Sequence, residues 1–233
     1  MTPRTVVRLA GVDIRVHRSG VYIAVLVTLG FWARFGDDPG GVAASVMAIV
    51  AAALFFASIL LHELAHALEA RHRGIEVRSI TLYLFGGATE TVGEARRPGD
   101  EFAVTAVGPW TSLVLGCAFA LLAYAADEGG LSAPGQVAAL LAWMNLILAF
   151  FNLLPGAPLD GGRILDSIVW RVTGDHSRAR RVATGAGRAL GYALVVVGFV
   201  EAVAVSGGLL DGLWLAFVGW FLAQAATAEA ARP

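Results

Sequence analysis

One apolar run of the chain ends in Leu61-His62-Glu63-Leu64-Ala65-His66, an HExxH pattern. On a helix, histidines at i and i+4 project from one face one turn apart, close enough to hold a single metal ion. The glutamate beside them can take a proton from a water that the metal activates. Three ionisable groups within five residues of an apolar segment are costly to bury without a partner, and a metal is such a partner. A catalytic zinc takes three protein ligands and keeps one position open, so the sequence must supply a third.

Three residues compete for that place. His72 completes an HExxHxxxxxH spacing, but Glu69 stands where the metzincin pattern has the glycine that turns the backbone. A helix that continues instead carries His72 roughly 15 Å along the axis from His62 and off the metal face. Glu90 follows His66 by 24 residues and sits between Thr89 and Thr91, so it reads as a solvated strand residue. Asp160 lies in Asn152-Leu-Leu-Pro-Gly-Ala-Pro-Leu-Asp160-Gly-Gly-Arg163. There Pro155 and Pro158 break a helix, and the glycines after the aspartate let the backbone approach closely, so the carboxylate can turn toward a neighbouring helix. Two neutral imidazoles and one carboxylate leave zinc with net positive charge, which suits water activation. The expectation is one Zn2+ per chain on His62, His66 and Asp160, with Glu63 as general base.

The elements that must position these residues are set by an apolar composition. Of 233 residues 57% are hydrophobic and 15% charged, and the mean hydropathy is +0.70. Those values exclude an ordinary soluble globule. The pattern predicts six membrane spans, at about 20–34, 41–70, 102–126, 136–154, 188–206 and 208–226, each near the roughly 20 apolar residues a bilayer requires. No cleavable signal pattern precedes the first. All 17 basic residues are arginine. With this set of spans sixteen of them fall on one side, and the other holds only Arg34 against Asp37, Asp38, Asp127, Glu128 and Asp211.

The positive-inside rule then puts both termini and the two long loops in the cytosol. With the interface near Arg71, His66 and His62 lie roughly 7 to 14 Å inside the membrane, toward the cytosolic side. Spans two and four run in the same direction, which brings Asp160 out at the end where HExxH lies. On the cytosolic side, residues 6–16 around a Gly11-Val12-Asp13 turn and residues 75–92 are predicted as short strands of one small sheet. The arginine-rich stretch 163–189 is predicted as a helix along the membrane surface. The fold class expected is all-α, multi-pass, with small β-strands. The net charge of -1 and the absence of a basic run exclude a nucleic-acid partner. The single Cys117 excludes a disulfide framework within one chain.

At these residues the chain resembles the site-2 protease family of intramembrane zinc metalloproteases. The resemblance covers nearly the whole chain: HELAH in the second span, a following strand with Phe85-Gly86-Gly87, and NLLPGAPLDGG at the end of the fourth. It implies that His62, His66 and Asp160 bind zinc, that Glu63 is the base, that Asn152 stabilises the oxyanion, and that the Gly86-Gly87 strand pairs with unwound substrate. The implied activity is cleavage of a transmembrane segment of a membrane-tethered regulator, such as an anti-sigma factor, in regulated intramembrane proteolysis. Only 93 residues separate His66 from Asp160, and about seven follow the sixth span. The expectation is therefore a single transmembrane protease domain over 1–233, of the compact type without PDZ or CBS domains. The rival reading is a multi-pass metal transporter using the His/Asp site, which leaves Glu63 without a role.

Overall fold

The computed structural model describes residues 4–9, 11–16, 18–36, 41–83, 86–93, 95–205 and 208–231. Phe85, Asp37, Asp38, Arg232 and the Ser206-Gly207 junction before the last span lie outside them. In chain order the elements are β1 (Arg4–Leu9), β2 (Val12–Val16), α1 (Arg18–Phe35), α2 (Val42–His72), β3 (Glu76–Tyr83), β4 (Gly86–Val92), α3 (Pro98–Glu128), α4 (Ser132–Asn152), α5 (Asp160–Thr173), α6 (His176–Ala204) and α7 (Leu209–Ala230). Helices α2, α3, α4, α6 and α7 are each long and apolar enough to cross a membrane, and Gly20–Phe35 is a shorter apolar helix. Among the described residues, the six expected spans thus correspond to five helices of spanning length and one shorter apolar helix. The chain divides into two compact units, residues 1–94 with 107–150, and residues 95–106 with 151–233.

In the first unit, α2 is the central element. Its buried face begins with Ala44, Met47, Ala48, Ala51, Ala52 and Phe55 and continues as Ser58, His62 and His66. The apolar half packs with Phe31 and Phe35 of α1 and Val137 and Leu141 of α4, including an edge-to-face pair of Phe31 and Phe55 at 6.1 Å. The polar half, one residue per turn, is where chemistry replaces packing. Beside it stands the expected single sheet, ordered β1-β2-β3-β4, in which β2 and β3 run parallel and the other pairs antiparallel. Val12, Ile14 and Ile80 bury against Ala67 near the end of α2, so the alternation of strand residues is what docks the sheet on the site helix. The β1–β2 turn differs from the expectation in one respect. Gly11 supplies the positive φ of 79°, and Val12 and Asp13 already belong to β2.

In the second unit, α6 and α7 form an antiparallel pair. A Cβ on Gly191 would lie 2.7 Å from the carbonyl oxygen of Gly219, and one on Gly198 would lie 2.5 Å from that of Gly212. Glycines seven residues apart on each helix therefore let the two backbones touch. The stretch 163–189 is helical as expected, but not as one surface helix. α5 ends at Gly174, whose φ of 71° is a left-handed cap, and Asp175 caps α6 by accepting from the Arg178 N–H at 2.9 Å. Residues 176–189 are thus the first turns of the helix that continues as the fifth expected span. Trp170 stacks on His176 at 4.3 Å, and His176 Nε2 lies 3.5 Å from Asp166. Burial pushes the Asp166 carboxyl above its ordinary range, against the pull of His176.

Candidate metal centre

His62, Glu63 and His66 occupy consecutive turns of α2 twenty residues and more from its start, where the helix is regular and the two histidines share its buried face. Their relative exposures are 3% and 7%. Their Nε2 atoms are 3.2 Å apart, and the rings meet edge to face at 4.8 Å. Two nitrogens each about 2.05 Å from a tetrahedral zinc stand about 3.3 Å apart, so the pair already has the spacing that one shared ion demands. The residues present fit the metal that the sequence pattern implies.

The flank of the pair is made by α3. Ser112 Oγ lies 2.9 Å from His62 Nδ1, with both residues buried. One turn earlier on α3 is Gly108, where an added Cβ would meet Nε2 and Cε1 of His66 and stand 2.7 Å from Nε2 of His62. One turn before His62 on α2, Ser58 donates to the Leu54 carbonyl at 3.0 Å and accepts from Asn145 Nδ2 at 3.2 Å. That bond ties α2 to α4 in the apolar interior, and an interhelical hydrogen bond of this kind contributes about 0.6 kcal/mol.

Glu63 points to the sheet. Thr89 Oγ1 of β4 donates to Glu63 Oε2 at 3.0 Å. The neighbouring Glu90 faces the other side of the strand, where it accepts from Ser79 Oγ at 3.1 Å and lies 3.8 Å from Arg15 and 3.7 Å from Arg78. Those partners account for its carboxylate without a metal. His72 is the last residue of α2 and exposed. Gly86 and Gly87 open β4, an edge of the sheet, where they pair with Tyr83 and Leu82.

The remaining two expected site residues belong to the second unit. Asn152 ends α4, and Asp160 opens α5, both half-buried. Between them the chain turns repeatedly. Ala157 donates from its backbone to the Ala183 carbonyl at 3.1 Å, and a Cβ on Gly161 or Gly162 would collide with backbone of residues 153–157. The two glycines after Asp160 are therefore required by the close approach of the chain to itself. Sequence reasoning did not single out Gly108, Ser112, Thr89 or Asn145. The available signals were a Gly-Pro step and a serine inside an apolar span, and an asparagine in another.

Residues 50–133 and 128–197 match the description "Peptidase family M50", more than half of the chain. The protein named "Putative zinc metalloprotease Rip3" of Mycobacterium tuberculosis is 43% identical over 97% of this chain and 58% of its own length. A protein of Synechocystis with the same kind of name is 39% identical over 95% of this chain and 58% of its own. The chain thus spans somewhat over half the length of these curated relatives. Among solved structures, the site-2 protease from Methanocaldococcus jannaschii superposes with a TM-score of 0.66 at 22% identity, covering 100% of this chain and 97% of that one. That likeness is one of fold.

Proposed function

The chain belongs to peptidase family M50, and from that premise we propose that it is a multi-pass membrane zinc endopeptidase that cuts a peptide bond in the membrane-embedded part of another protein. The observation that carries the reading is the buried His62–His66 pair with Nε2 atoms 3.2 Å apart and Glu63 between them. We assign the third ligand to Asp160, with one zinc per chain and the whole of 1–233 acting as one protease domain. Bound there, zinc would supply Lewis acidity to a water and to the scissile carbonyl.

The chain's own groups do the rest. Glu63 accepts the proton of the attacking water and delivers it to the leaving amine. Asn152 offers a donor to the oxyanion. A helical substrate hides its carbonyls in hydrogen bonds, so the scissile segment must unwind, and the edge of β4 beginning at Gly86-Gly87 can take it as an added strand. The substrate class is a membrane-tethered regulatory protein, of which an anti-sigma factor is one kind. The arginine distribution supports cytosolic termini and a site toward the cytosolic side of the membrane. The transporter reading leaves Glu63 and its Thr89 bond unused, and none of the relatives named above is a transporter.

Metal analysis of the detergent-purified protein, beside cleavage of a single-span reporter with a helix-breaking segment, tests the proposal. One zinc per chain with cleavage is expected. Asp160→Ala lowers zinc and abolishes cleavage, while His72→Ala and Glu90→Ala each keep the metal. Metal lost from His72→Ala and kept by Asp160→Ala refutes the choice of third ligand. Zinc flux into proteoliposomes without cleavage refutes the protease.

A further inference from the structure

We infer that α3 forms a wall of the metal centre, in which Ser112 is a positioning residue that fixes the ring and tautomer of His62, and Gly108 keeps clear the space that both Nε2 atoms face. The inference rests on the reading of His62 and His66 as metal ligands.

A histidine that binds a metal through Nε2 carries its proton on Nδ1, and the partner of that N–H sets the plane of the ring. Ser112 Oγ, 2.9 Å from Nδ1, can accept this bond. Both groups are buried, so bulk water does not compete for it. The lone pair of Nε2 is then left facing His66. A hydroxyl does this without adding charge, so zinc held by two imidazoles and one carboxylate would keep its net positive charge.

Gly108 and Ser112 are one turn apart on the same face of α3, as His62 and His66 are on α2. A side chain at 108 would put carbon in front of both ring nitrogens. Gly116, two turns further along the same helix, is different. There a Cβ would meet the Leu146 side chain at 2.9 Å, an ordinary matter of helix packing. Gly108 is the α3 glycine whose missing side chain is ligand space.

The test uses the full chain in detergent, stripped of metal and titrated with Zn2+ against a chromophoric chelator, with imidazole 15N spectra of the metal-free protein. Ser112→Ala is expected to raise the zinc Kd by about 10- to 100-fold and to turn the single Nδ1-protonated form of His62 into a mixture. Ser112→Thr, which keeps the hydroxyl, moves both readouts back toward wild type. Gly108→Ala fails to take up zinc at concentrations that saturate the wild type; should that variant not fold, the Ser112 pair decides alone. Ser58→Ala, a buried serine on the His62 face, leaves the Kd unchanged. Wild-type zinc affinity and an unchanged His62 spectrum in Ser112→Ala overturn the inference, as does equal weakening in Ser58→Ala. Zinc binding by His62→Ala as tight as wild type would instead sink the ligand reading itself.

Discussion

Glycine serves opposite purposes in two parts of this molecule. Where α2 meets α3, Gly108 clears space in front of two imidazoles, and the surrounding polar side chains are held by hydrogen bonds. In the α6–α7 pair, Gly191, Gly198, Gly212 and Gly219 clear space chiefly for the opposing backbone, with the Cβ atoms of Ala223 and Leu194 beside it. In a bilayer, apolar side chains gain little by leaving lipid for one another, so helices associate by close van der Waals approach. The α6–α7 pair is built that way throughout. The first unit places polar side chains around His62 and His66 and keeps its aromatic and aliphatic cluster in the earlier half of α2, from Ala44 to Phe55. Burial of polar groups, and not tightness of packing, separates the region of chemistry from the region of assembly.

The variant that separates chemistry from assembly most sharply is Glu63→Gln. The amide keeps the shape and loses the base, so cleavage falls by about 10² to 10⁴ fold while zinc content and unfolding temperature hold. Cleavage at the wild-type rate would remove Glu63 from the mechanism. Asn152→Ala is next, with turnover lowered by about 10² to 10³ fold and zinc retained, as for the loss of one oxyanion donor. If zinc and activity fall together in that variant, Asn152 braces the chain before Pro155, and the oxyanion is stabilised by another group.

The difference between the two regions was only partly visible in the sequence. HExxH is a local signal, because helix geometry alone puts i and i+4 on one face. The Asn152 to Arg163 segment was legible because prolines and glycines impose a turn on any chain that carries them. Ser112 and Gly108 lie about fifty residues from the histidines they flank, and a serine or glycine in an apolar span has no periodicity that betrays its neighbour. Thr89 was read as one of two threonines beside Glu90, and only the strand register tells which face meets α2. The break of 163–189 into two helices was not legible for a related reason: arginines mark no boundary, whereas the Gly174 and Asp175 caps decide where one helix stops and the next starts.

Gly198→Ala inverts the signature of the site variants. The new methyl would lie 2.5 Å from the backbone of Gly212 and Ala216, so the helices must separate, and overpacking of this kind costs about 1 to 3 kcal/mol. Unfolding in a denaturing detergent series should shift accordingly, with the zinc Kd of the folded fraction unchanged. Equal loss of zinc affinity would mean that the α6–α7 pair is coupled to the metal centre and that the division between chemistry and assembly is wrong.

The smallest expected effect probes the Thr89 hydroxyl, which joins the base to the sheet. Thr89 Oγ1 has a single proton, and its shorter bond, 3.0 Å, is to the Glu63 carboxylate. Hydrogen bonds to charged groups contribute about 1.5 to 3 kcal/mol, and the half-exposed setting of both residues lowers the figure, so about tenfold in turnover is the scale expected. Thr89→Val keeps the β-branched shape that suits β4 and removes only the hydroxyl. It should lower kcat with KM and zinc content held, and Thr89→Ser should restore kcat. A base freed from this bond samples orientations that do not reach the water, which is a loss of rate and not of binding. Gly87 lies two residues before Thr89 on β4, so a substrate strand added along that edge would press on the element that holds the base. If Thr89→Val instead raises KM and leaves kcat alone, β4 serves substrate binding only, and Glu63 is oriented by α2 without help from the sheet.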